Sequence, residues 1–470
     1  MLPLHYVSTR GLAPKLSFGD AMLAGLARDG GLYMPDAWPV LSQAMIAGFA
    51  GQPFAAVANA VIAPYTDIAA PALATMVAAS AATFRHAATT PLVQIADNIF
   101  VLELFHGPTL AFKDVAMQLL GRLMDYELKA RGQRATIVGA TSGDTGAAAI
   151  EAFAGLDQVD VFILYPHGKV SEVQRRQMTT VASPNIHAIA LEGTFDDCQN
   201  IVKGLFSHHE FADGIGLSGV NSINWARVMA QASYYFTSAV ALGAPHRKIS
   251  FCVPTGNFGD ALAGFIARRM GLPIERLVVA TNANDILVRA LATGTYDLRE
   301  VEATQSPSMD IQISSNFERL LFEAYGRDAA AIRPLMADLK QSGSFTIAPG
   351  ALAAIRAQFD AGRADEAQTT AEMTRTYRET GYMLDPHTAV ALAVARQEQP
   401  KHAATPMVVL GTAHPGKFPD AVEKATGLRP ALPPHLADLL ARPEHFTVLA
   451  NNQADIENFM RRRIRQTKAR

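Results

Sequence analysis

One lysine stands among apolar and small residues in Phe105-His106-Gly107-Pro108-Thr109-Leu110-Ala111-Phe112-Lys113-Asp114. Burial in such surroundings disfavours an ammonium, lowers the lysine pKa and leaves a neutral amine able to form a Schiff base with a carbonyl. A lysine snorkelling out of a loop would read the same way in isolation. Two other segments bear on the choice. Pro254-Thr255-Gly256-Asn257-Phe258-Gly259-Asp260 runs into the apolar stretch 261–267, so glycines allow a tight turn and the following helix points its positive end at it. A phosphate fits such a turn, and a plain helix start capped by Asp260 fits it nearly as well. No Gly-Lys-Ser/Thr ending follows, which excludes a nucleoside-triphosphate loop.

The second segment, Gly139-Ala140-Thr141-Ser142-Gly143-Asp144-Thr145-Gly146, holds three hydroxyls, three glycines and one carboxylate. Its amides and hydroxyls suit a carboxylate or a second phosphate, with an ordinary helix start as the alternative. Together the three segments supply one nucleophile and two anion cradles. An enzyme holding a phosphorylated aldehyde cofactor and a carboxylate substrate needs that set.

The elements that must carry these groups follow from periodicity. The first ninety or so residues are Ala-rich with helical spacing, as in 21–27 and 71–77. From about Pro91 short β-branched runs alternate with turns and longer amphipathic stretches, which predicts parallel strands with helical crossovers. The clearest runs are 135–138, 160–164, 249–253, 277–280 and 407–410. Ligands of open α/β sheets bind at the ends of such strands. The 470 residues, 49% hydrophobic and 18% charged with a net charge of −2, describe a compact chain of two or three domains and give no electrostatic reason for a nucleic-acid partner. No apolar run is long enough for a bilayer span, the start lacks the pattern of a secretion signal, and Cys198 and Cys252 are too few for a disulfide framework. A cytoplasmic location is the expectation.

Several segments, in order, resemble the threonine synthase family of pyridoxal-phosphate enzymes: 6–11, 29–33, 105–114, 140–146, 222–227, 256–260, 306–311, 385–389 and 410–414. The long N-terminal segment and tail resemble the larger bacterial and fungal form. The resemblance implies an α/β fold of the tryptophan-synthase-β-like kind, fold type II, with two open, mainly parallel sheet domains and a helical N-terminal extension. The expected division is 1–90 helical, 91–120 with 224–420 as the large cofactor-binding domain, 121–223 as the small α/β domain, and 421–470 as a tail. It implies pyridoxal 5'-phosphate as cofactor, no metal, O-phospho-L-homoserine as substrate, and a monomer or homodimer.

By matching motif, Lys113 is the Schiff-base lysine, Gly256, Asn257, Phe258 and Gly259 hold the cofactor phosphate, and Thr412 faces the pyridine nitrogen. Asp144 stands where many relatives place an asparagine facing the 3-oxygen; an ionised carboxylate there accepts but cannot donate. Ser142 and Thr145 are expected at the substrate carboxylate or phosphate, and Ser222, Asn224 and Arg227 at its phosphate, where a guanidinium fork suits the geometry. Rival expectations are a β-eliminating serine or threonine dehydratase and a catalytically silent cofactor-binding relative.

Other features have ordinary readings. Gly214-Ile215-Gly216-Leu217-Ser218-Gly219 lacks a preceding strand and reads as a turn, and His208-His209 lacks zinc-site spacing. Arg461, Arg462, Arg463 and Arg465 with Lys468 and Arg470 read as a basic final helical turn. His387, after Asp385-Pro386, reads as part of a capping turn.

Overall fold

A computed structural model describes residues 4–141 and 143–465 of the chain. Two sheets carry the architecture. The larger runs in the order Phe359–Arg363, Ile274–Thr281, Ile249–Pro254, Met407–Gly411, Ile99–Glu103 and Leu92–Ala96; all neighbours are parallel except the last pair. The smaller runs Thr447–Ala450, Ile186–Glu192, Val159–Pro166, Ala135–Ala140 and Leu217–Ser218, parallel throughout. Strands such as Ile249–Pro254 and Val159–Pro166 are buried along their whole length. Helices on both faces explain why these runs are continuously apolar instead of alternating.

Every loop singled out by its chemistry leaves the carboxyl end of a parallel strand. The lysine segment follows Ile99–Glu103, the 141–144 turn follows Ala135–Ala140, the Gly256 turn follows Ile249–Pro254, and Thr412 follows Met407–Gly411. Such a sheet gathers at one edge residues that lie far apart in the chain.

The N-terminal residues form helices Phe18–Ala24, Phe54–Ile62 and Ala70–Ala81, but also an antiparallel pair, Tyr6–Ser8 with Tyr33–Pro35. Three-residue strands are too short to show a period of two, so the sequence reading contained no strand there. This unit is seated on the rest of the chain: the ring of Trp225 lies 5.9 Å from Tyr6 and 5.7 Å from Tyr65, and Arg10 pairs with Glu318 at 3.0 Å.

Residues 421–470, expected as a tail, do not stand apart. Thr447–Ala450 adds the edge strand of the smaller sheet, and helix Gln453–Arg463 buries Ile456, Phe459 and Met460 against Phe162, Leu164 and Ile189. A four-residue strand with half-exposed faces gives little sequence signal, and its partner lies far away along the chain. Arg461 to Arg463 do form that helix's basic last turn, while Lys468 and Arg470 lie outside the described residues. The glycine run at 214–219 links helix His209–Gly214 to the edge strand Leu217–Ser218.

Replacing Ile456 by Ala should destabilise the protein by about 2–5 kcal/mol, the cost of a cavity at a fully buried aliphatic site. Urea unfolding checks this, and a loss under about 0.5 kcal/mol, the range of an ordinary surface substitution, would show that the C-terminal helix is not part of the folded core.

Candidate active site

The lysine segment is built to hold one shape. The Asp114 carboxylate accepts from the Thr109 amide at 2.8 Å and the Thr109 hydroxyl at 2.7 Å, closing a loop in which Leu110 takes a left-handed φ of 61°. A side chain at Gly107 would meet the Asp114 carboxylate oxygen at 2.5 Å, so only glycine passes there. Phe112 N–H donates to the Thr412 carbonyl at 2.9 Å, and Ala111 bridges to Ala413. Lys113 therefore begins helix Lys113–Arg131 beside Thr412. Thr412 also donates its amide to Thr388 Oγ1 at 3.3 Å, and its hydroxyl has no hydrogen-bond partner among the described residues.

The amine of Lys113 is nearly enclosed, its side chain 12% exposed. Nζ lies 3.5 Å from Asp144 Oδ2 and 3.4 Å from Ser308 Oγ. Asp144 opens helix Asp144–Phe153 at the end of a strand of the smaller sheet, so the contact crosses between the two sheets. Its other oxygen is held more tightly, by Lys417 Nζ at 2.8 Å and Gln174 Nε2 at 2.9 Å. Burial pushes Lys113 below its ordinary pKa, Asp144 draws it back up, and the charges of Lys417 and Arg227 push it down again. Burial likewise works to raise Asp144, but the ammoniums of Lys417 and Lys113 hold it well below the usual carboxylate range. Asp144 is thus ionised, an acceptor only.

Ser308 joins three parts of the site. Its hydroxyl lies 3.4 Å from both Lys113 Nζ and Asp144 Oδ2, and its amide donates to His387 Nε2 at 3.3 Å. His387 Nδ1 faces Asp385 Oδ1 at 2.8 Å, which places the proton on Nδ1 and leaves Nε2 to accept. Asp385 caps helix Pro386–Glu398, as the turn reading expected, and its histidine also reaches the loop over Lys113.

The Gly256 turn opens as an anion cradle. A Cβ on Gly256 would meet the Ser308 carbonyl at 2.6 Å, and Phe258 takes a left-handed φ of 61° just before helix Gly259–Arg269. The turn's carbonyls are engaged: that of Gly256 accepts from Ser314 Oγ at 2.6 Å and that of Asn257 from the Asn316 side chain at 3.0 Å. The amides of Gly256, Asn257, Phe258 and Gly259 have no hydrogen-bond partner among the described residues. Four donors left open at a helix N-terminus favour a phosphate. Asp260 does not cap this helix. Its carboxylate turns toward Tyr234 and Tyr235, the latter at 3.2 Å, so it does not repel an anion in the turn.

Arg227 supplies a second anion position. It is 3% exposed; Nη1 donates to the Val220 carbonyl at 3.0 Å, while Nε has no partner among the described residues. Burial pushes the guanidinium down to about 10, with Tyr234 opposing, so it stays a cation at neutral pH. A buried cation with no carboxylate of its own is costly unless an anion arrives.

A family model described as "Pyridoxal-phosphate dependent enzyme" matches residues 83–412, and models for the threonine synthase N terminus and C-terminal part match 5–81 and 388–460. The chain is 52% identical over 460 residues to the threonine synthase of Pseudomonas aeruginosa, covering 97% of this chain and 98% of that one. The crystal structure of pyridoxal-phosphate-bound threonine synthase from Brucella melitensis superposes with a TM-score of 0.96 at 59% identity, covering 98% of this chain and all, 100%, of that one. The chain belongs to the threonine synthase family of pyridoxal-phosphate-dependent enzymes. A yeast threonine synthase structure agrees with a TM-score of 0.93 at 38% identity, covering 98% of each chain.

Within this threonine synthase fold the remaining expected residues fall out unequally. Thr145 is half-buried one residue after Asp144, and Ser222, also half-buried, offers its carbonyl to Asn316 Nδ2, which bonds the Gly256 turn as well. Asn224 is different: its Oδ1 caps helix Trp225–Ala241 and its Nδ2 donates to the Met22 carbonyl at 2.8 Å. Its Oδ1 is used within its own helix and one Nδ2 hydrogen ties down the N-terminal unit, which leaves the second Nδ2 hydrogen to donate. Ser142 lies outside the described residues. Sequence reasoning gave no role to Ser308, Gln174 or Lys417. The rule that singled out Lys113, a lone lysine in an apolar and small setting, would also have found Lys417 in Pro415-Gly416-Lys417-Phe418.

Burial raises the Asp260 carboxyl to about 7, against the two tyrosine hydrogen bonds that lower it. A folded-state value above the unfolded one, about 4, means that its contribution to stability is complete below pH about 4 and is lost as pH rises through about 7. Asp260→Asn should lack that slope, so its stability relative to wild type should climb between pH about 4 and about 8. Denaturant unfolding across that range checks it, and parallel pH curves would count against a raised Asp260.

Proposed function

We propose that this chain converts O-phospho-L-homoserine and water into L-threonine and phosphate, with Lys113 as the Schiff-base residue. The observation that carries the reading is the buried Arg227, with no carboxylate partner among the described residues, near an enclosed Lys113 and a turn whose amides are open. The four amides of the Gly256 turn would hold the cofactor phosphate, Thr412 would face the pyridine nitrogen, and Asp144 with Ser308 would lie toward the 3-oxygen side. When bound, pyridoxal 5'-phosphate supplies a carbonyl for Lys113 and an electron sink for the substrate's α-carbon.

Lys113 Nζ, as a free amine, would take the α-proton and, once it has passed that proton on and is neutral again, a β-proton. Phosphate leaves from the γ-carbon as a dianion, and the Arg227 guanidinium neutralises the charge that builds on it. Thr145 and Ser222 supply hydroxyls for the substrate's anionic groups. Water adds at the β-carbon, and Lys113 Nζ returns protons on the way to threonine. A hydroxyl at Thr412, in place of a carboxylate, would favour a neutral pyridine nitrogen in the bound cofactor and so a more moderate sink.

The proposal extends to the division into 1–90, 91–120 with 224–420, and 121–223, with the last unit completed by the strand and helix from 447–463. A cytoplasmic monomer or homodimer that binds neither membrane nor nucleic acid is part of the same reading. The small net charge of −2 gives no electrostatic reason for a nucleic-acid partner, and no described helix is long and apolar enough to cross a membrane.

Purified protein given O-phospho-L-homoserine should release phosphate and threonine in equal amounts, and Lys113→Ala should abolish both. Phosphate with a keto acid would instead support the dehydratase reading. Arg227→Ala should lower kcat/KM by about a hundredfold or more while cofactor affinity changes little; equal losses in both would refute a substrate-phosphate role for Arg227.

A further inference from the structure

The site brings together three buried cations, Lys113, Arg227 and Lys417, and among the described residues Asp144 is the carboxylate that pairs directly with two of them. Lys417 has no counterpart in the mechanism above, yet its side chain is fully buried, 0% exposed. It comes from the short turn Pro415–Lys417 after Thr412, where His414 accepts from the Gly416 amide. Its ammonium donates to the Thr109 carbonyl at 2.7 Å and meets Asp144 Oδ1 at 2.8 Å. On the opposite oxygen, Lys113 stands off at 3.5 Å. Asp144 is thus tightly the partner of Lys417 and loosely that of Lys113.

Lys113 must lose its charge, change partners and handle protons during turnover. With Lys113 as the only counter-charge, each such step would strand a buried carboxylate, which would take up a proton or move. We propose that Lys417 is a positioning residue of the reaction: by pairing permanently with Asp144 it keeps that carboxylate charged and fixed while Lys113 Nζ gives up and regains its proton. The inference rests on the Schiff-base role of Lys113. The other groups facing the pair are Arg227, Asp114 of the Lys113 helix, His414 and His387. Burial pushes His414 down to about 4, so it brings no charge at neutral pH.

Removing the Lys417 charge takes away a repulsion on Lys113 Nζ and frees Asp144 to attract its proton, so a proton shared by those two groups should be held to higher pH. The test is the pH titration of the visible absorption band of the holoenzyme. Lys417→Gln keeps an N–H donor for the Thr109 carbonyl but no charge, Lys417→Met keeps neither, and Lys417→Arg keeps the charge. We expect the Gln and Met variants to shift the transition upward by about one pH unit or more, a tenfold change in proton affinity, and Arg to stay near wild type. Unshifted titrations in Gln and Met, with only a lower Tm, would make Lys417 a brace for the Thr109 loop and overturn the proposal. Neutral variants that do not fold would overturn it too, because the Lys417 charge would then be a requirement of the fold and not of the reaction. A band that persists in Lys113→Ala would defeat the Schiff-base reading itself, an outcome distinct from an unshifted band that depends on Lys113.

Discussion

Asp144 joins the two sheets chemically through buried charge. It belongs to the smaller sheet, while Lys113, Lys417 and Ser308 reach it from loops of the larger one. A buried carboxylate is tolerated only when its charge is met, and meeting it requires both sheets to present their strand ends to a common space. The loop that carries Lys113, the turn that carries Lys417 and the Gln174 contact all converge on that one charge. Displacement of the Lys417 turn would leave Asp144 with only the looser Lys113 as its counter-charge.

Around that pair the surplus charge is positive. Arg227 adds a cation without a carboxylate, and the Gly256 turn adds four open amides at a helix N-terminus. Such an arrangement is poorly satisfied by the protein alone and well satisfied by phosphates, which is the character a site acquires when binding energy is directed at anions. Asp260, the carboxylate next in sequence to the turn, is drawn aside by Tyr234 and Tyr235. The N-terminal unit serves the same site indirectly. Asn224 and Trp225, at the start of the helix that carries Arg227, are gripped by Met22, Tyr6 and Tyr65.

The strands were legible because burial on both faces demands continuous apolar runs, and 135–138, 160–164, 249–253, 277–280 and 407–410 all fall within parallel strands. The pairs that escaped, Tyr6–Ser8 with Tyr33–Pro35 and Thr447–Ala450 beside Ile186–Glu192, are three or four residues long and owe their conformation to partners distant in the chain. Asn224 shows the same limit in the site. Its place in a Ser-Ile-Asn-Trp-Ala-Arg segment suggested a ligand contact, and only the approach of Met22, some two hundred residues earlier, reveals that the same amide also ties down the N-terminal unit.

By itself, the sequence determined the local matters: a lone lysine in an apolar segment, glycines where a side chain would collide, strand runs and the order of turns that end them. Those depend on residues within one turn or strand of each other, so composition and spacing carry them. Tertiary structure alone decided which charges meet. Lys417 lies more than two hundred and fifty residues from Asp144, and Ser308 well over a hundred from both Lys113 and Asp144. Their contacts exist only after crossover connections have set the strand order of each sheet. Buried electrostatics depends on separation in space, which the linear chain does not encode residue by residue.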